Sequence, residues 1–155
     1  MSASLIFDLA PLGSIIRYFD GAPRPPERHR KKLAAWETRN NSGRLIAKRP
    51  GGVVGKLTVP DSFTLHEGDF GGHGVVLVRI HRTFSIDSEL KFSVVERPAI
   101  GSVLVLDRPD GELMHLAENR AEANTWLQYH GYPRAVLLPV TADAVAADFV
   151  EGRAA

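Results

Sequence analysis

The sequence predicts an α+β domain, mainly an antiparallel sheet with two to three helices packed on one face. Three observations predict it. Residues 75–116 hold apolar runs of period two joined by hairpin-length connections, which favours antiparallel pairing. Two segments, near 26–40 and 120–130, carry apolar residues at helical spacing between start and stop signals. The order of strands, helix, meander, helix, strand and helix does not alternate as a parallel βαβ chain would. At 155 residues, with 44% hydrophobic and 24% charged residues, the chain has the size and composition of one globular domain, 1–155.

Ser4–Phe7 and Ser14–Phe19 read as two short strands, with Pro11 and Gly13 between them and an Asp20-Gly21 turn after them. The prolines of residues 22–26 cannot donate backbone hydrogen bonds and keep that stretch extended. The helix 26–40 starts with Pro26 and Glu27, a first-turn proline and an acid that complements the dipole. Its His29, Leu33, Trp36 and Asn40 fall on one stripe, to be buried through Leu33 and Trp36. Arg28, Lys32 and Arg39 fall on the neighbouring stripe. Residues 43–56 read as a basic glycine-rich loop with one strand at Arg44–Lys48.

From residue 57 the chain turns to β character. Leu57–Val59 and Ser62–His66 are short strands, and 66–74 (HEGDFGGHG) is a glycine-rich connection. Val75–Phe84 has the strongest alternation: Val76, Val78 and Ile80 point one way, Leu77, Arg79 and His81 the other. Glu89–Arg97 returns after a turn at 85–88. Ser102–Leu106 reads as a central strand, 107–111 (DRPDG) as a tight turn, and Glu112–Leu116 closes that hairpin. In the helix 120–130, Asn119 and Glu122 have N-cap and N3 spacing, while Ala123, Trp126, Leu127 and His130 form the buried stripe. Gly131 and Pro133 end it. Arg134–Leu138 is a strand, and Thr141 caps a last helix running through Phe149.

Charge divides the chain unevenly. Residues 17–56 hold eleven Lys and Arg against three acids, a net +8. Residues 61–155 hold eight bases against fourteen acids, a net −6. The basic N-terminal part points to a partner surface for nucleic acid or a nucleoprotein, because each cation that neutralises a phosphate releases condensed counterions. Arg outnumbers Lys seven to four in this block, and the guanidinium fork matches phosphate and carboxylate bidentately. The predicted contact residues are Arg24, Arg28, Lys31, Lys32, Trp36, Arg39, Arg44, Lys48 and Arg49. Trp36 can stack on a base, and Tyr18 lies close in sequence. Two other readings stay open: an acidic host protein gripped by the arginines, or self-neutralisation by the acidic half of the same fold.

Other patterns exclude more than they assign. With no cysteine, the chain has no disulfide framework, no thiolate nucleophile and no Cys-based zinc site. The N-terminus lacks a basic n-region and Asp8 interrupts its apolar run, so it does not read as a signal peptide. No apolar stretch reaches the length that spans a bilayer, so no membrane contact is expected and the localisation is read as cytoplasmic. Residues 50–58 (PGGVVGKLT) fail the phosphate-loop pattern, with Pro50 at the first glycine and Leu57 at the hydroxyl position. His66, Glu67, Asp69 and His73 are oxygen and imidazole groups in one loop, but their spacing matches no standard metal site. His81 beside Arg79 and Arg82, with Glu96 on the returning strand, reads as cross-strand charge pairing. His130 reads as a helix-terminal packing residue. No catalytic residue, metal or cofactor is assigned, and the chain reads as a non-catalytic binding protein.

Three passages carry a resemblance: the opening LIFDLAPLGSIIRYFDGAPRPPERHRKKLAAWE, SFTLHEGDF, and LMHLAENRAEANTWLQYHGYPRAVLLPVTADAVAADFVEG. Together they resemble small uncharacterised accessory proteins carried on bacterial plasmids and integrative elements. The resemblance implies a mobile-element context, in which such genes encode DNA-associated factors or inhibitors of host defence nucleoproteins. An anti-CRISPR or anti-restriction inhibitor that binds a host protein complex is therefore the alternative to a nucleic-acid binder.

Overall fold

The computed structural model describes residues 1–145, with the side chain of Leu77 excepted. The architecture is α+β and dominated by antiparallel sheet. Its centre is a five-stranded sheet of order β6-β5-β2-β1-β7, built from β1 (Ile15–Phe19), β2 (Asn41–Arg49), β5 (Ser62–Gly72), β6 (Val75–Ser85) and β7 (Lys91–Glu96). A two-stranded hairpin, β3 (Gly52–Val54) and β4 (Leu57–Val59), projects between β2 and β5. A second sheet of order β10-β8-β9 comprises β8 (Val103–Leu106), β9 (Leu113–Ala117) and β10 (Val136–Pro139).

The five-stranded sheet curls. Its edge strands β6 and β7 are joined by a short turn, and the rings of Phe84 and Phe92 meet edge to face at 5.3 Å. Tyr18, Phe63, Phe84 and Phe92 fill the concave side, with Ile16, Leu45 and Leu65. Helix α1 (Ala3–Leu9) seals this core through Ala3, Ile6 and Ala10, all fully buried.

Residues 4–7, expected as a strand, therefore belong to a helix. The Leu5-Ile6-Phe7 run is apolar under either period, so alternation alone cannot decide it. The local signals that decide it are Ser2, whose hydroxyl accepts from the Leu5 amide at 3.3 Å, and the spacing of Ala3, Ile6 and Ala10 on one helical face.

The opposite face of the large sheet meets the smaller sheet. Ile46 from β2 packs with Leu106 and Leu113, joining the layers. Helix α3 (Arg120–Gln128) covers the smaller sheet, with Ala123 buried against Val103, Val105 and Ala117. Asn119 caps it as expected, its Oδ1 accepting from the Glu122 amide at 2.8 Å. The helices thus divide between the layers, α1 on one side and α3 on the other. Thr141 opens a further turn of helix, accepting from the Ala144 amide at 3.3 Å. The expected end of that helix at Phe149 lies outside the described residues.

Several expectations need correction. The loop expected over 43–56 is mostly β structure: β2 runs nine residues from Asn41 to Arg49, and Gly55 (φ 63°) supports the tight turn between β3 and β4. The connection expected at 66–74 is mostly strand. β5 continues to Gly72, and only His73 (φ 54°) and Gly74 (φ 77°) form the turn. Two successive positive φ values match the twist of a hairpin. The helix expected at 26–40 is shorter, α2 (Arg30–Glu37), and buries none of its residues. Leu33 and Trp36 are half-buried, while His29 is exposed. Finally, β7 pairs with β1 and not with β6, so Glu96 lies opposite Ile15 and away from His81.

Candidate nucleic-acid interface and an imidazole-lined cleft

The cations of the basic block are neighbours in sequence but separate in space. β2 is nine residues long, so its ends stand roughly 27 Å apart. Asn41, at one end, pairs with Tyr18 close to α2. Arg44 lies mid-strand, donating from Nη1 to the Gly13 carbonyl at 2.6 Å. Lys48 and Arg49, at the far end, line a depression with Asp107, Asp110 and Glu112 from the turn between β8 and β9. There the acidic half does supply carboxylates beside basic residues.

Arg24, Arg28, Lys31, Lys32, Trp36 and Arg39 remain together, on α2 and its approach. Two of them are tethers. Arg39 Nε donates to Asp20 Oδ2 at 3.1 Å, and Trp36 Nε1 donates to the Ala22 carbonyl at 2.9 Å. Asn40 Nδ2 donates to Asp20 Oδ1 at 3.0 Å. The Asp20 carboxyl is held below the usual carboxylate range, first by the Ala22 amide, then by Asn40 and Arg39. The others face solvent. Arg24 stands 3.9 Å from Glu27, both exposed, a pairing of little energetic weight. Arg28 donates to its neighbour His29 at 3.3 Å. Among the described residues, none of Arg30, Lys31 and Lys32 makes an ion pair. Tyr18 is fully buried in the aromatic core and cannot stack on a base with Trp36.

A second constellation escaped the sequence reading. Where the two sheets splay apart lies a cleft of about 360 Å³. Four of the chain's six histidines line it: His66 from β5, His81 from β6, His115 from β9 and His130 just beyond α3. Arg44, Arg79, Asp69, Glu112 and Trp126 complete its polar lining. His66 Nε2 donates to Asp69 Oδ1 at 2.6 Å, and this bond, ahead of any charge effect, draws the Asp69 carboxyl below its ordinary range. His115 Nε2 donates to Glu122 Oε1 at 2.9 Å. The imidazoles of His66 and His81 meet at right angles, 5.5 Å apart. Trp126 stacks with both His115 and His130, at 4.9 and 3.9 Å. His130 is anchored as a helix-terminal residue, Nδ1 donating to the Trp126 carbonyl at 2.8 Å.

A β-bulge arranges this site. With a strict period of two, His66 and Asp69 would point to opposite faces of β5. The pairing register slips between His66 and Gly68, so both face the cleft. Glu67, next to His66 in the strand, points to the opposite face, where its carboxylate accepts from the Tyr18 hydroxyl. Burial first, and that carboxylate second, push the Tyr18 hydroxyl well above its ordinary pKa. Gly43 on β2 leaves room for the bulge: a Cβ there would stand 2.8 Å from the His66 carbonyl oxygen. The loop residues considered for a metal are thereby split apart. His66 and Asp69 face the cleft, Glu67 faces the core, and His73 sits at the hairpin tip. Among the described residues no group of three or more His, Asp or Glu is placed to hold a metal ion.

Chemically, the cleft offers imidazole nitrogens that can donate or accept hydrogen bonds, flanked by two guanidiniums that can hold an anion. The basic approach to α2 offers only exposed positive charge. Gly68 within a strand is the one sequence signal for the bulge. Nothing local announces that four histidines from four separate elements converge.

Among the described residues no helix is long and apolar enough to cross a membrane. No curated protein and no solved structure matches the chain. Residues 1–144 match the family described as Uncharacterised conserved protein UCP036055, and the chain belongs to that family.

Proposed function

We propose that this chain is a non-catalytic binding protein that contacts the phosphates of a nucleic acid through α2 and the segment leading into it. One observation carries the reading: α2 buries none of its residues, yet it is tied in place by Trp36, Arg39 and Asn40. A helix that adds little to the core but is held in a fixed position presents its surface to something else. That surface holds Arg28, Arg30, Lys31 and Lys32, with Arg24 just before it. Arg39 and Trp36 support the interface as anchors, since their polar groups are already engaged.

Fluorescence anisotropy with labelled duplex and single-stranded DNA and RNA, at low and physiological salt, tests the proposal. Binding should weaken steeply with salt and be lost when Arg28, Lys31 and Lys32 are changed to Glu. Equal binding by the parent and the triple variant removes the reading.

A second reading has its own observation, the convergence of His66, His81, His115 and His130 on one cleft. There the protein would hold a small anionic ligand between Arg44 and Arg79. Histidine-ring NMR spectra recorded with added inorganic phosphate and citrate test this. Shifts confined to those four rings support it, and unmoved rings exclude it.

A further inference from the structure

We infer that Arg82, on β6, is the positioning residue of the proposed interface: it grips the C-terminal end of α2 and fixes where the cations of that helix stand. The inference rests on the reading of α2 as the phosphate-contacting surface.

α2 is poorly equipped to hold itself. At eight residues it falls short of the roughly 12–15 that an isolated helix needs in water. His29, at its N-cap, makes no side-chain capping bond. Its last turn carries no basic residue to answer the negative end of the helix dipole. The bonds of Trp36, Arg39 and Asn40 reach only Ala22 and Asp20, where the chain has just left β1.

Arg82 adds a hold from a strand 44 residues further along the chain. Its Nη1 donates to the carbonyl of Thr38, the C-cap of α2. Neighbouring carbonyls are satisfied within the segment itself: Thr38 Oγ1 donates to that of Ala35 at 2.7 Å, and the Asn40 amide to that of Glu37 at 3.3 Å. The sheet thus supplies the C-terminal cation that α2 lacks in its own sequence.

The guanidinium is itself fixed. Arg82 lies opposite the fully buried Leu65 on β5, so it points to the concave side of the sheet. Its Cζ stands 5.2 Å from the Tyr18 ring centre and 5.3 Å from that of Phe84, within cation–π range. Nη1 also donates to the Tyr18 hydroxyl oxygen at 3.3 Å, and that hydroxyl donates in turn to Glu67. A planar fork held against two rings and one hydroxyl aims its donor at one place, and the end of α2 is set there.

Binding of duplex DNA, measured by anisotropy over a salt series, tests the role. In Arg82→Gln the grip is gone. If the freed helix keeps its position in about a tenth of molecules, affinity falls about tenfold. The slope of log affinity against log salt should stay as in the parent, because the same cations meet phosphate once bound. Loss of a direct phosphate contact would instead flatten it by about 0.9. Amide exchange should quicken at 33–38 and not in β5. Arg82→Lys keeps the charge without the fork and should not restore affinity. In the parent, where no variant has to fold, the Nε NMR signals of Arg28 and Arg30 should move on adding DNA while that of Arg82 stays. Unchanged affinity in Arg82→Gln, a flattened slope, full recovery by Arg82→Lys, or an Arg82 signal that moves with those of Arg28 and Arg30 overturns the inference while leaving the α2 reading in place. A parent that binds no DNA removes that reading, and the inference with it.

Discussion

Replacing Gly43 with alanine places a methyl group against the bulge that arranges the cleft. The added Cβ would lie 2.8 Å from the His66 carbonyl oxygen, 2.9 Å from Leu65 Cβ and 3.2 Å from Glu67 Cγ. Favourable contacts between heavy atoms begin near 3.5 Å, so β2 and β5 must part by about half an ångström or the bulge must rearrange. The first obstacle is backbone and cannot swing aside. Overpacking of this kind costs about 1–3 kcal/mol, offset by about 0.4–1 kcal/mol from the stiffer unfolded chain. The net expectation is a loss of about 1–2 kcal/mol, or roughly 2–8 °C in Tm for a chain of this size. Urea titration and thermal unfolding measure the loss, and histidine-ring NMR reports whether His66 still bonds Asp69. Gly68→Ala is the matched control, since a Cβ there meets nothing within 4 Å. It should change stability by less than about 0.5 kcal/mol. If Gly43→Ala is as stable as the parent and leaves His66 unmoved, the bulge does not depend on the missing side chain.

Other perturbations probe the tether, the core and the buried hydroxyl. Tyr18→Phe removes the hydrogen bond to Glu67 and should cost about 1–3 kcal/mol in urea titrations at neutral pH. Because the folded state raises the Tyr18 pKa, the parent's advantage holds below the ordinary tyrosine value near 10 and is lost as pH rises beyond it. The variant should therefore lose less stability than the parent on going to strongly alkaline buffer, and parallel decline in both would contradict the assignment. Asp20→Ala releases Arg39 and Asn40 and should loosen α2, seen as faster amide exchange at 33–40. Since the Asp20 carboxyl is depressed, its contribution is present above the ordinary carboxylate range and is lost as pH falls below it. An exchange pattern identical to the parent's would show that α2 is held by other contacts. Ile6→Ala should cost about 2–5 kcal/mol, because Ile6 is fully buried between α1 and the aromatic core. A strand exposed to solvent at that position would lose far less.

What could be read from the sequence follows the range of the interactions involved. α3 was legible because its signals are local: Asn119, Glu122, the Ala123–Leu127 stripe and Gly131 lie within thirteen residues. The alternation of β6 from Val78 onward and the Pro and Asp-Gly turn before β9 are equally local, whereas the expected alternation fails at Leu77, where the pairing with β5 slips and Val76 turns to the face opposite Val78. α1 was not legible from alternation because Leu5, Ile6 and Phe7 satisfy either period; the signals that decide it are the Ser2 cap and the helical spacing of Ala3, Ile6 and Ala10. Strand order is set at long range: β7 follows β6 in sequence, yet it completes the opposite edge of the sheet beside β1. The basic block misled for the same reason. Arg44 and Arg49 are near α2 in sequence, but an extended strand carries them away from it. The cleft depends on four separate elements and one slipped register, and of these only Gly68 left a trace in the sequence.

The central claim is that the cations around α2 meet phosphates. The most direct measurement is the slope of log affinity for duplex DNA against log salt concentration. Contacts from Arg24, Arg28, Arg30, Lys31 and Lys32 predict a slope of about −4.5, and changing Arg28, Lys31 and Lys32 to Ala should flatten it to about −2. A slope near zero in the parent, or the same slope in both proteins, would contradict the account.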